Sequence, residues 1–208
     1  MSVSRHLERR SYFTNRALDG YTLQEGESEQ ERFLATSNFE TLIEDHHQEL
    51  YRYLWRLSLS YGSRDPASQA DDLTQETYVR AYRAYEKLKP DSNVRAWLYK
   101  IATNCAHSTL GRQSRRLQVE IEAGRLDRAS AFQSPEASTI DDERNRALRA
   151  ALTALPFKQQ AAVTLRHLEG LSYDEIGEVI DCSAESARAN VYQGMQRLRQ
   201  LLPEELIQ

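Results

Sequence analysis

The sequence predicts an all-α protein of two small helical domains joined by a flexible linker, and three observations carry that prediction. Glycine and proline are scarce, 8 and 5 in 208 residues. Apolar residues recur at spacings of three and four through long stretches, the period of an amphipathic helix rather than of a strand. From Leu117 to about Asp142 that period lapses into mixed charge with Ser130, Ser134, Pro135 and Ser138. A break of that length separates two domains more readily than it decorates one. The expected layout is a polar extension over 1–38, a first domain over 39–113, a linker over 114–142 and a second domain over 143–204.

Composition narrows the function classes. With 27 Lys plus Arg against 31 Asp plus Glu, the formal net charge is −4. The chain as a whole should not coat nucleic acid, so any such binding must come from local patches. No apolar run approaches the roughly 20 residues that span a bilayer, and the N-terminus lacks an apolar signal core. A cytoplasmic protein with no membrane insertion is expected. Cys105 and Cys182 stand far apart, which fits a reducing compartment and no structural metal.

The extension carries Arg5, Arg9, Arg10 and Arg16, then Glu25, Glu27, Glu29 and Glu31. Its weak periodicity reads as a partly disordered tail, with a regulatory or docking arm as the alternative. From Phe39 to Tyr61, Phe39, Leu42, Ile43, Leu50, Tyr53, Leu54 and Leu57 form one helical face. His46 and His47 sit within it; adjacent helical residues point different ways, so solvated or capping roles are expected rather than a shared metal. Gly62-Ser63-Arg64-Asp65-Pro66 breaks the helix.

The next helix begins near Ala67 to Asp71 and ends at Lys89-Pro90-Asp91-Ser92-Asn93. Leu73, Thr77, Ala81, Ala84 and Leu88 form its apolar stripe, while Asp72, Gln75 and Glu76 share an adjacent polar face. An acidic-amide face beside a packing stripe suggests docking on a partner. A third helix over about Val94 to Arg112 should bury Val94, Trp97, Leu98, Ile101, Ala102 and Cys105. Between Ser92 and Val119 there is no acidic residue, whereas Arg95, Lys100, Arg112, Arg115 and Arg116 are present. With Tyr99 and Asn104 alongside, that one-sided charge fits a nucleic-acid surface, because cations bind phosphate and aromatics stack on bases. Trp97 is assigned to the core.

The second domain gives the clearest supersecondary pattern. A helix with Leu148, Ala151, Leu152 and Leu155 stops at Pro156, and another over Phe157 to Leu168 ends in Glu169-Gly170, where glycine supplies the left-handed stop. Ser172-Tyr173-Asp174-Glu175 is a capping box opening a short helix to Ile180. Asp181-Cys182-Ser183 turns the chain, Ser183 caps again, and a last helix to about Leu202 buries Ala187, Val191, Leu198 and Leu202, with Gly194 permitting close approach. Two capped helices around a tight turn make a helix-turn-helix. Glu185, Arg188, Ala189, Tyr192, Gln193 and Gln196 point outward from the second.

These motifs together resemble one family. Asp71-Asp72-Leu73-Thr74-Gln75-Glu76-Thr77 and Ala96-Trp97-Leu98-Tyr99-Lys100-Ile101-Ala102-Thr103-Asn104 are similar to the second conserved region of bacterial sigma factors. Ala154-Leu155-Pro156, Arg166-His167-Leu168-Glu169-Gly170-Leu171-Ser172-Tyr173-Asp174-Glu175-Ile176 and the following helix resemble the fourth. With no third domain between them, the layout resembles the extracytoplasmic-function (ECF) group of the sigma-70 family over Phe39 to Leu202.

The resemblance implies that Asp72, Leu73, Gln75 and Glu76 dock on the clamp helices of the largest subunit of RNA polymerase core. It implies that Arg80, Arg83, Asn93, Tyr99, Lys100 and Asn104 engage the minus-ten promoter element and a flipped base. Ser183, Ser186, Arg188, Asn190, Gln193 and Arg197 would then face the minus-thirty-five element in the major groove. The flap region of core, promoter DNA and an anti-sigma factor are the partners implied, the linker would thread toward the active-site cleft, and no cofactor is implied. One departure is that Asn190, Gln193 and Gln196 stand where family members commonly carry a basic residue, which weakens phosphate affinity.

The function expected is thus a promoter-specificity subunit that assists DNA melting and catalyses nothing itself. The alternative is a stand-alone helix-turn-helix regulator, which has no use for the Asp72/Gln75/Glu76 face. A hydrolase using Asp71, Asp72 and Glu76 is a remote third, since no histidine, nucleophile or phosphate-cradling glycine loop accompanies those carboxylates.

Overall fold

The computed structural model describes residues 29–202 apart from 62, 64, 90 and 124–139. Among them are seven α-helices: α1 Glu29–Ser60, α2 Pro66–Tyr85, α3 Val94–Glu122, α4 Ile140–Thr153, α5 Phe157–His167, α6 Tyr173–Ile180 and α7 Ala184–Leu201. Residues 1–42 form one compact unit and residues 43–208 another. Both expected helical domains therefore lie within a single compact body.

α1 starts well before Phe39, which corrects the expectation of an unstructured extension up to residue 38. The segment from Glu29 to Asn38 contains neither glycine nor proline, and its early carboxylates favour a helix N-terminus. The extension before Glu29, with its arginines, lies outside the described residues. α2 opens with Asp65, whose carboxylate accepts from the Ser68 backbone N–H at 3.0 Å, and with Pro66, which has no N–H to leave unpaired. Leu73, Thr77 and Ala81 are buried on it as expected, joined by Ala70, Thr74 and Tyr78. The helix stops at Tyr85, so Leu88 belongs to the following turn, where its N–H bonds the Tyr85 carbonyl.

Asn93 caps α3, its side-chain oxygen accepting from the Ala96 N–H at 3.0 Å. α3 runs on through Glu122, so the linker begins later than 114; α4 begins at Ile140, inside the expected linker end. A second correction concerns phase. Leu98, Tyr99, Ala102, Cys105 and Ala106 are the buried stripe, and Trp97, one position off it, is only half-buried. The Tyr99 ring meets Tyr53 of α1 edge-on at 5.1 Å, and the Tyr53 hydroxyl pairs with Thr103 Oγ1 at 2.8 Å. Leu50, Leu54, Leu57 and Leu73 close this core. Each such side chain contributes about 1.5–3 kcal/mol on burial.

In the C-terminal half, Ala151, Leu155, Val163 and Leu198 form a cluster covered by Leu152, Met195 and Leu202. α6 and α7 cross over Ile176, Val179, Ala187 and Val191. The capping box is complete: Ser172 Oγ accepts from the Glu175 N–H and Glu175 Oε2 accepts from the Ser172 N–H at 2.7 Å. Gly170 takes φ +74° at the α5–α6 turn. A Cβ on Gly194 would stand 2.6 Å from Val163 Cγ2, which is why α5 and α7 approach so closely. α3 of the first bundle packs against α6 of the second.

Candidate nucleic-acid interface

Three surfaces bear on function. On α2, Asp71, Asp72, Gln75 and Glu76 are exposed along one side, with Val79 beside them. Glu76 pairs with Arg80 one turn on at 2.7 Å. Exposed pairs at this spacing contribute only about 0.3–0.5 kcal/mol, so the face is held ready rather than locked. Leu73 departs from the expected docking set, being 2% exposed and part of the core stripe with Thr77 and Ala81. Its backbone carbonyl accepts from Thr77 Oγ1 at 2.7 Å.

The second surface is the α3 face and the turn before it. Arg80, Arg83 and Asn104 are exposed on α2 and α3. Asn93 and Lys100 are already engaged, by the C-terminal half. Asn93 Nδ2 donates to Glu175 Oε1 at 2.9 Å, and Lys100 Nζ pairs with Asp181 Oδ1 at 2.6 Å. Tyr99 is not a surface platform here: it is fully buried, Arg95 stands 5.3 Å over its ring, and its hydroxyl donates to Glu169 Oε2 at 3.0 Å. Burial, reinforced by the carboxylates of Glu169 and Glu49, pushes the phenol far above its ordinary range, so it serves as a neutral donor. Lys89, Trp97, Lys100, Asp181 and Cys182 line a cleft of about 780 Å³ between α3 and α6.

The third surface is the helix-turn-helix. Ser183 Oγ accepts from the Ser186 N–H at 3.2 Å, capping α7. Ser186, Arg188 and Gln193 are exposed as the sequence pattern places them, and Tyr192, 64% exposed, accepts a hydrogen bond from Gln196. Asn190 Nδ2 is turned back onto the Ser186 carbonyl at 2.8 Å. Gln159 of α5 organises the far end: its amide donates to Gln193 Oε1 at 3.0 Å and accepts from Arg197 Nη1 at 2.8 Å. Tyr173 lies against two guanidinium groups, Arg166 at 4.7 Å and Arg188 at 4.9 Å. Neither Gln159 nor the Arg166–Tyr173–Arg188 stack follows from periodicity, because each joins residues of different helices.

His46 bonds Glu49 and His47 bonds the Tyr78 hydroxyl, so the two adjacent histidines serve separate partners rather than facing solvent. Among the described residues no group of three or more His, Cys, Asp or Glu is arranged to hold a metal. Among them, too, no helix is long and apolar enough to cross a membrane.

Comparison with known proteins adds to this geometry. The Sigma-70 region 2 family model matches residues 42–116, and the Sigma-70, region 4 model matches residues 145–198. The ECF RNA polymerase sigma factor SigE of Mycolicibacterium smegmatis is 34% identical over 169 residues, 81% of this chain and 63% of that protein. The ECF RNA polymerase sigma-E factor of Escherichia coli K12 is 30% identical over 154 residues, 71% of this chain and 81% of that one. Among solved structures, the sigma factor RpoE in complex with the anti-sigma factor NepR from Bartonella quintana aligns with a TM-score of 0.53 at 26% identity, covering 76% of this chain and 96% of that chain. CnrH, solved in complex with the cytosolic domain of CnrY, shares the fold with a TM-score of 0.54 at 21% identity, over 82% and 95% of the two chains.

Proposed function

The chain belongs to the ECF group of the sigma-70 family, and from that premise we propose that it directs bacterial RNA polymerase core enzyme to specific promoters and assists melting at initiation. The observation that carries the reading is the ordered pair of family matches, region 2 over 42–116 and region 4 over 145–198, on one chain. A stand-alone regulator would need only the second.

In this reading Asp72, Gln75 and Glu76 contact the clamp helices of core, where carboxylates form charge-assisted bonds to basic partners. Arg80, Arg83, Asn93, Lys100 and Asn104 receive the minus-ten strand, the cations on phosphates and the amides on base edges. Tyr99 can join them only if Glu169 is withdrawn. Ser183, Ser186, Arg188, Gln193 and Arg197 face the minus-thirty-five duplex, with Asn190 released from Ser186 to do so. Gln193 suits adenine and Arg188 suits guanine. The chain works in the cytoplasm, performs no chemistry of its own and has an anti-sigma factor as a regulatory partner, as the complexes of its structural neighbours suggest.

Co-purification with core polymerase, followed by run-off transcription on genomic fragments with and without the protein, tests this directly. Stable association and new start sites are expected. A folded protein that ignores core but binds promoter duplex would instead be a stand-alone regulator.

A further inference from the structure

The contact between the two halves is made by charge on one side and by the candidate minus-ten residues on the other. Glu169, in the α5–α6 turn, has a side chain only 4% exposed. One carboxylate oxygen pairs with Arg56, the other accepts from the Tyr99 hydroxyl, and the Glu169 backbone carbonyl accepts from Arg95 Nη2 at 2.8 Å. Arg95 is held in turn by Glu49 at 3.0 Å. Two further carboxylates of the second half follow, Glu175 on Asn93 and Asp181 on Lys100. Phe157 completes the contact, stacked on His107 at 4.5 Å and near Tyr61.

We propose that region 4 masks region 2 in the free chain, with Glu169 as the pin and Glu175 and Asp181 occupying donors that would otherwise receive the minus-ten strand. The inference rests on the functional reading above for the identity of the displaced ligand, but the masking itself is a property of the chain alone. A carboxylate offers the same acceptor chemistry as a phosphate, so Lys100 and Asn93 can serve one or the other and not both. The interface is of a kind that opens. Its charges regain water on separation, whereas an apolar contact of the same size would not let go so readily.

The masking is selective. Asp72, Gln75 and Glu76 stay exposed, as do Arg188 and Tyr192 on α7. Core enzyme can thus dock on the closed chain, and release of the minus-ten face follows docking rather than preceding it. A free chain in this state cannot capture a melted strand, which keeps promoter opening dependent on polymerase.

The test measures the distance between spin labels on the full-length chain at Lys87→Cys and Gln200→Cys, both exposed, in a Cys182→Ser background. One narrow population is expected for the wild-type interface. Glu169→Gln, and separately Asp181→Asn, should lower the closed-to-open ratio about tenfold, the scale on which losing one charge-assisted hydrogen bond shifts a two-state equilibrium. Circular dichroism and Tm check that each variant is folded, and the two positions are independent should one fail. A broad distribution in the wild-type interface, or distances unmoved in folded variants, overturns the masking. Core association is measured on the same samples. A closed chain that does not bind core leaves the masking standing and removes the promoter-specificity reading, so the two failures are told apart.

Discussion

Neither amide atom of Gln160 has a hydrogen-bond partner among the described residues, although the residue is 1% exposed. A buried unpaired amide costs about 1–3 kcal/mol, and a thioether of similar length would fill the same space without that cost. Gln160→Met is expected to raise stability by about 1 kcal/mol, read as a higher denaturant midpoint at unchanged slope; a fall would mean that the amide is satisfied in solution. The Arg166–Tyr173–Arg188 stack sets the direction of Arg188, and a cation over an exposed ring contributes about 0.5–1 kcal/mol. Tyr173→Leu keeps an apolar side chain at the helix start but removes the ring face. Promoter affinity should fall a few-fold with core affinity unchanged, and promoter binding equal to wild type would assign Tyr173 to packing alone. At this scale the sequence places Arg188 outward from α7 by period, while its ring partner sits on another helix and is invisible to any period.

Helices α6 and α7 are defined by their caps. Ser172→Ala should cost about 1 kcal/mol, because it leaves the Glu175 N–H without its acceptor. The same box sets a pH dependence. The Ser172 backbone N–H is the first cause holding the Glu175 carboxyl below its ordinary 4.5, with Asn93 adding to it. A carboxylate with a depressed folded pKa stabilises the fold fully above its ordinary value and loses that contribution as pH falls through the folded one. The helix-turn-helix should therefore weaken in acid below about pH 4.5, and Glu175→Gln should flatten that limb of a Tm-versus-pH curve. The capping box was legible as Ser-x-x-Glu before an apolar run, since it is local. Gly177 was not: a Cβ there would meet the Cys182 carbonyl oxygen at 2.7 Å, a clash that exists only once the turn is closed. The continuation of α3 to Glu122 was likewise missed, because mixed charge resembles a linker while lacking any residue that stops a helix.

Across the whole molecule, acidic and basic functions are separated by face rather than by domain, which reconciles a net charge of −4 with nucleic-acid recognition. The α2 face is exposed and contributes little to the core, so Asp72→Lys with Glu76→Arg should abolish association with core polymerase while leaving Tm within a degree or two. Undiminished association would remove these residues from the docking surface. Leu73→Ala behaves differently: it creates a cavity and should cost about 2–5 kcal/mol, with any loss of core binding following from unfolding.

The sequence by itself determined the all-α class, the order of the helices after α1, the helix-turn-helix with its two serine caps, and the acidic-amide face of α2. Each of these follows from residues within a turn or two of one another, where period and capping chemistry act. Only the tertiary structure decided that Tyr99 and Leu73 are buried, that Trp97 is half-exposed, and that Glu169, Glu175 and Asp181 sit on Arg56, Tyr99, Asn93 and Lys100. Those facts depend on how one helical body meets another across scores of residues, and the packing of two amphipathic surfaces has no local period from which it could be read.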